Sequence, residues 1–294
     1  MATLFQGLYT ALITPFKDGK VDERALAELI EWQIAEGVHG LVPCGTTGES
    51  PTLSYDEHKR VISLTIETAR GRVPVLAGTG SNSTDEAIML TSYAKQAGAA
   101  GALIVSPYYN KPTPEGLWRH FKAIHDAVAL PIVLYNVPSR TNVNLSDALI
   151  AKLAQLPNIV GIKDATGDLA RPYLLRHALA RKPFAQLSGE DMTAVAFNVS
   201  GGVGCISVSS NITPHACAEV QNACLRGDYA QALKLHDELV PLHDVMFCET
   251  NPGPVKYAAA LLGKCEASLR LPLVLPAESQ QVRIREVLVN LRLL

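Results

Sequence analysis

The stretch IVGIK, residues 159–163, is a short apolar run that ends in a lysine, and Asp164-Ala165-Thr166-Gly167 follows it. It is too short for a typical helix, and its β-branched content and near-continuous hydrophobicity suit a strand covered on both faces. Seven more runs of this kind flank it: LYTALIT (8–14), GLVPC (40–44), VPVLAGT (73–79), ALIVSP (102–107), PIVLYN (131–136), FAQLS (184–188) and GVGCISV (202–208). They recur roughly every 20 to 35 residues, with helix signals between them. Asp22-Glu23 opens ERALAELIEWQIAEG and Gly37 closes it, while Ser83 to Glu86 reads as a capping box ahead of AIMLTSYAKQAG. Eight parallel strands alternating with helices predict an α/β protein of the (β/α)8 TIM-barrel type. The rival, an open doubly wound sheet for a dinucleotide, needs G-x-G-x-x-G after an early strand, and Gly78-Thr79-Gly80 is followed by Ser83 instead. No Walker sequence is present.

Beyond the eighth run the pattern is helical only, at about 214–225, 228–246, 254–263 and 277–292, with breaks at NPGP and RLPLVLPAES. The expected division is a catalytic barrel over residues 1–226 and a C-terminal helical appendage over 227–294.

Composition narrows the function classes. With 48% hydrophobic and 18% charged residues, the chain can bury a large core. Its 26 Lys and Arg balance 28 Asp and Glu without a block of one sign, so nothing attracts a nucleic acid. The start, MATLFQGLYTALITPF, lacks a basic leader and is broken at Pro15, and no apolar run nears the roughly 18 residues of a membrane span. The expected location is cytoplasmic. Six dispersed cysteines form no C-x-x-C pair and eight histidines no tight ligand spacing, so neither disulfides nor a metal is expected. Cys44 reads as a small buried hydrophobe.

In a barrel the chemistry sits at the C-terminal ends of the strands. Those ends are polar here: GTTGES (45–50), PYYNKP (107–112), YNVPSRT (135–141), KDAT (163–166), SGED (188–191) and ISVSSN (206–211). Lys163 would stand at the mouth beside low-dielectric walls that favour a free amine able to attack a ketone. Strand alternation puts Ile159, Gly161 and Lys163 on one face and Val160, Ile162 and Asp164 on the other. The bland alternative is a lysine snorkelling at a strand end or paired with a carboxylate. Gly45-Thr46-Thr47-Gly48 offers backbone N–H groups as a nest for a carboxylate, and Tyr135 offers a phenol as acid and base. Arg140, in the loop after Asn136, suits bidentate capture of a second carboxylate, although a loop arginine is commonly a surface ion pair.

Taken together, GTTGES, PYYNKP, YNVPSRT and GIKDATG (161–167) resemble the pyruvate-dependent class I aldolase family, from about Gly7 to the end of the chain, with NPGPVKYAAALLG included. The resemblance implies pyruvate bound as a Schiff base on Lys163, with Thr46, Tyr109 and Tyr135 as a proton relay. It implies that Thr47 holds the pyruvate carboxylate, that Arg140 holds the carboxylate of aspartate semialdehyde, and that the main chain at Gly189 and Ile206 lines the site. The implied reaction is the condensation of pyruvate with L-aspartate-4-semialdehyde, in lysine and diaminopimelate biosynthesis, with no external cofactor. The implied assembly is a homotetramer built from dimers, with Tyr109 reaching into a neighbour's site.

Two other functions remain open at this point. A lyase of the same family could cleave a sialic acid or a keto-deoxy sugar acid, but a polyol aldehyde calls for neutral groups where Arg140 stands. A non-catalytic keto-acid-binding barrel would not need all of Lys163, Tyr135, Thr46 and Tyr109. The resemblance also implies a pocket for an L-lysine effector at Ser50, Tyr55, His58, Asn82, Glu86 and Tyr108. Each has a plainer reading: Glu86 completes the capping box, His58 is a solvated helix residue, Tyr108 packs an interface. Pro51 departs from the small residue usual there and stiffens the loop that carries Ser50.

Overall fold

The computed structural model describes residues 4–180 and 182–294. The first strand, β1 (Gly7–Ala11), leads into a hairpin, β2 (Phe16–Lys17) and β3 (Lys20–Val21), ahead of α1 (Glu23–Ala35). Strand and helix then alternate through β4 (Gly40–Val42), α2 (Tyr55–Ala69), β5 (Leu76–Gly78), α3 (Thr84–Ala97), β6 (Gly101–Val105), α4 (Pro114–Ala127) and β7 (Ile132–Asn136). Two short helices, α5 (Pro138–Thr141) and α6 (Asp147–Leu153), precede β8 (Ile159–Asp164) and α7 (Arg171–Ala178). After β9 (Ala185–Ser188), α8 (Ala194–Val199) and β10 (Gly204–Ser207) come α9 (Pro214–Leu225), α10 (Tyr229–Val245), α11 (Gly253–Leu261) and α12 (Glu278–Asn290).

All eight expected strands form, with ends that differ from those of the apolar runs by up to three residues, and they pair in parallel in the order β4-β1-β10-β9-β8-β7-β6-β5. A parallel bridge between Leu41 and Val75 joins the two ends, so the sheet closes into the expected barrel. The β2–β3 hairpin was not anticipated, although its Asp18-Gly19 turn, with φ of 50° and 74°, is a recognisable two-residue hairpin signal.

Three apolar clusters hold the molecule. Phe5, Tyr9, Val42, Leu76, Leu103, Val133, Leu187 and Ile206 fill the barrel interior. A second cluster packs β6 to β8 against α4, α6 and α7. The third is continuous from α1, α2 and α9 into Leu239, Leu242 and Met246 of α10 and its end, Val255 and Ala259 of α11, and Ile284 and Leu288 of α12. The appendage therefore shares its core with the barrel rather than enclosing one of its own. Among the described residues no helix is long and apolar enough to cross a membrane.

Local signals worked as expected at α1, where Asp22 accepts from Ala25 N (3.0 Å), and Gly37 follows with φ 88°. The box expected at Ser83 forms only half. Ser83 Oγ accepts from Glu86 N at 3.5 Å, but the Ser83 N–H donates to Ser81 Oγ (3.0 Å) instead of to Glu86. The reciprocal box lies at α2, between Ser54 and Glu57.

One alternation is overturned. The β7–β8 register shifts between Ile132, which faces Ile159, and Val133, which faces Gly161. This β-bulge leaves Val160 without a partner and turns Ile159 into the helix-facing cluster beside Ile162, while Val160 packs against the barrel interior. Above the bulge the expected alternation holds.

Acid sensitivity follows from the buried histidines. His120 is 5% exposed, and burial pushes its pKa down to about 4; burial likewise lowers His39, His58 and His243. The unfolded chain takes up these protons near pH 6.5 and the folded chain does not, so stability is full above about pH 6.5 and falls as pH drops towards 4. His120 alone accounts for a loss on the order of 3 kcal/mol across that window. Carboxylates such as Glu57, held down to about 2 by its hydrogen bonds to Arg270, add their own loss only from the ordinary carboxylate range downward, at the acid end of this window and below it. Calorimetry from pH 7.5 to 4.5 should show a falling midpoint, with a shallower fall in His120→Phe; equal slopes would refute the assignment.

Candidate active site

The β7–β8 register sets Tyr135 opposite Lys163 and Asn136 opposite Asp164. Tyr135 and Lys163 face inward, each 6% exposed, with Lys163 Nζ 4.3 Å from the centre of the Tyr135 ring. Asp164 faces outward and lies against Arg171, Nε to Oδ2 3.1 Å, so it does not neutralise the amine. Above the pair is a cavity of about 170 Å³ lined by Thr46, Thr47, Tyr135, Arg140, Lys163 and Gly189, six of the eight residues expected to act on substrate.

Each arrives by a traceable route. In the loop after β4, the N–H groups of Gly48 and Glu49 are spent on the carbonyls of Gly45 and Thr46, which leaves the nest to Thr46 and Thr47. Thr14 Oγ1 braces the loop from below by donating to Gly48 O (2.7 Å). Arg140, on α5, is exposed and donates from Nη2 to Asn251 O (3.3 Å). Gly189 is glycine for a steric reason: an added Cβ would lie 2.8 Å from Ala165 Cβ and 3.1 Å from Lys163 Cε.

Two of the eight are not among the residues that line it. Ile206 packs in the barrel interior, and Val208, two residues on, lines the cavity. Tyr109 projects from the molecule, 91% exposed, with φ 70° and an Asn110 N to Tyr108 O bond of 2.9 Å across it. This is a γ-turn of the rare, strained, positive-φ kind. Asn82 and Asn110 hold it, Asn82 Nδ2 to Tyr108 O (3.2 Å) and Asn110 Nδ2 to Asn82 O (2.9 Å).

A smaller cavity of about 30 Å³ shares Thr46 and Tyr135 with the first and is also lined by Cys44, Ser50 and Gly78. Cys44 is buried as expected, and burial raises its thiol. His58 is not the solvated residue of the plainer reading: it is buried, and its Nε2 lies 2.8 Å from Gly78 O. Glu86 sits close enough for its charge to oppose the burial-driven lowering of His58, whereas Tyr55 is exposed on the first turn of α2.

Sequence reasoning missed several wall residues. Glu190 lines the cavity, its carboxyl pushed up by burial and then by the charge of Asp191, with Lys163 working against both. Phe247 and Asn251 come from the segment between α10 and α11, and only the NPGP punctuation pointed to it. Asn251 Nδ2 donates to Thr47 Oγ1 (3.0 Å). Beside it, Lys256 Nζ reaches Glu49 Oε1 at 2.6 Å, both side chains wholly buried. Glu49 Oε2 accepts from Arg270 N (3.1 Å), and Arg270 grips Glu57 with two guanidinium nitrogens. Among the described residues no group of three or more His, Cys, Asp or Glu gathers as a metal site.

A buried amine against a phenol, with hydroxyls and a nest on one side and a guanidinium on the other, is the equipment of a barrel enzyme that activates an anionic carbonyl compound. The chain belongs to the dihydrodipicolinate synthetase family, whose sequence model matches residues 4–291. It is 60% identical over 291 residues to the 4-hydroxy-tetrahydrodipicolinate synthase of Rhodospirillum centenum, covering 99% of this chain and 100% of that one. Among solved structures, the chloride-inhibited dihydrodipicolinate synthase of Acinetobacter baumannii complexed with pyruvate superposes with a TM-score of 0.96 at 48% identity, covering 98% and 99% of the two chains. The enzyme of Cyanidioschyzon merolae with lysine bound gives 0.95 at 35% identity, with both chains covered in full.

Removing one partner of the buried pair should cost far more than removing both. Lys256→Met strands the Glu49 carboxylate and should lower unfolding stability by about 3–5 kcal/mol, while Glu49→Gln with Lys256→Met should recover most of that loss. Urea denaturation measures both, and a single variant no less stable than the double would contradict the pairing.

Proposed function

We propose that this chain condenses pyruvate with L-aspartate-4-semialdehyde through an imine on Lys163, giving 4-hydroxy-tetrahydrodipicolinate for lysine and diaminopimelate biosynthesis. The observation that carries it is the cavity itself: Lys163 Nζ over the Tyr135 ring, between a threonine nest and Arg140. The amine attacks the keto carbon, and Tyr135 with Thr46 moves protons so that water leaves and an iminium forms. Loss of a methyl proton gives the enamine, whose carbon attacks the aldehyde. The substrate's own amine then closes on the imine carbon and expels Lys163. Thr47 holds the pyruvate carboxylate, Arg140 that of the second substrate, and the main chain near Gly189 and Ile206 borders the site. Arg140 favours this reaction over cleavage of a sialic acid or keto-deoxy sugar acid.

Borohydride with pyruvate should label Lys163, mass spectrometry should find the pyruvyl adduct there, and Lys163→Ala should lose essentially all activity in a coupled assay with both substrates. An unlabelled Lys163, or turnover only with sugar acids, would sink the proposal.

The exposed, strained Tyr109 supports a dimer-based homotetramer in which its phenol completes the relay of a neighbouring copy. Ser50 lines the smaller cavity, His58 bonds the carbonyl of Gly78 in its wall with Glu86 close enough to act on it, and Asn82 bonds Tyr108 O; these contacts support an L-lysine effector pocket at Ser50, Tyr55, His58, Asn82, Glu86 and Tyr108. In mixtures of Lys163→Ala and Tyr109→Phe subunits, hybrids with one intact site should regain activity; proven exchange without recovery places Tyr109 in its own site. Millimolar L-lysine at subsaturating pyruvate should slow the parent more than Glu86→Ala, and no inhibition of the parent makes the pocket structural.

A further inference from the structure

One residue beyond Tyr135 and Lys163, Asn136 and Asp164 face each other across the same strands and point to the opposite side, towards α7. That layer is mostly apolar, built from Leu134, Ile162, Leu175 and their neighbours, with Gln186 bonded to Pro172 O (3.2 Å) and Asp147 Oδ1 3.6 Å from Arg171 Nη1. Arg171 lies in it, 7% exposed. Its Nη1 donates to Leu145 O (2.8 Å) and its Nη2 to Asn144 Oδ1 (3.1 Å), and Nε stands 3.1 Å from Asp164 Oδ2. Asn136, wholly buried, donates from Nδ2 to the same Asn144 Oδ1 (2.9 Å) and accepts from Leu145 N (3.0 Å). One guanidinium thus ties the outer faces of both strand ends to a single turn.

Stability gives no reason for this network. Burial raises the Asp164 carboxyl and Arg171 works against the rise, and apolar replacements of buried ion pairs are commonly as stable or more so. Register does give a reason. The bulge at Val160 means that the pairing at the strand starts is one residue out of step with the pairing at their ends, and a one-residue slip turns every side chain to the other face. Ladder hydrogen bonds are nearly indifferent to such a slip. The outer network is not, because Arg171 reaches Asp164 and the 144–145 turn together only when Asn136 lies opposite Asp164.

We propose that Arg171, acting with Asp164 and Asn136, is a positioning residue that locks the β7–β8 register above the bulge and so keeps the Lys163 amine over Tyr135. This rests on the imine chemistry assigned to Lys163. The test compares the parent with the near-isosteric Asp164→Asn and with Arg171→Met, by timed borohydride trapping of the pyruvyl imine, kcat and KM for pyruvate, and thermal unfolding. In both variants imine formation and kcat should fall by about tenfold or more, with pyruvate KM within about threefold and unfolding still cooperative. Imine formation in Asp164→Asn within about twofold of the parent overturns the positioning role, and Asp164→Asn decides alone if Arg171→Met does not fold. A parent that traps no pyruvate refutes the imine instead, so the two failures are distinguishable.

Discussion

The ion pair between Glu49 and Lys256, closed from all water, is the contact on which the arrangement of the site depends. Glu49 ends the GTTGES loop in a left-handed conformation, φ 55°, which costs a non-glycine residue about 1 kcal/mol or more. Lys256 comes from the first turn of α11 and rests on the Phe16 ring, 4.1 Å from its centre. Burial lowers the lysine's pKa, and the charge and hydrogen bond of Glu49 work against that lowering. The pair, with the Asn251–Thr47 hydrogen bond, pins the threonine loop to the C-terminal helices. The segment beyond residue 226 accordingly supplies wall residues, Phe247 and Asn251, to the cavity as well as continuing the core.

Strain gathers around the same mouth. Cys44 and Glu49 bracket the threonine loop at positive φ, and Tyr109 holds its own positive φ within a three-residue turn. Such conformations persist only where their surroundings over-determine them. Here the surroundings are identifiable: the Thr14 and Lys256 contacts for the loop, and the Asn82–Asn110 exchange for the tyrosine. The barrel interior is packed with apolar side chains up to the level of Val133 and Ala185, and Tyr135 and Lys163 stand at the next inward position, beside Leu187. The amine therefore has a dry floor below it and an open cavity above.

The amino-acid sequence by itself determined the barrel. Eight apolar runs at regular intervals, capped helices between them and a lysine ending the sixth leave little other architecture available, because hydrophobic periodicity and caps are local properties. It also determined which strand ends carry chemistry, and the four motifs named most of the cavity wall in advance. Only the tertiary structure decided the rest. The bulge that turned Ile159 away from Lys163's face arises from how β8 pairs with β7, which no single strand encodes. Asn251, Phe247 and the Lys256–Glu49 pair lie more than 200 residues from their loop partners in two of the three cases, the pair itself 207 apart. The outer network through Arg171 depends on the same register. Contacts of this kind are set by which surfaces close against each other, and the chain states them nowhere along its own length.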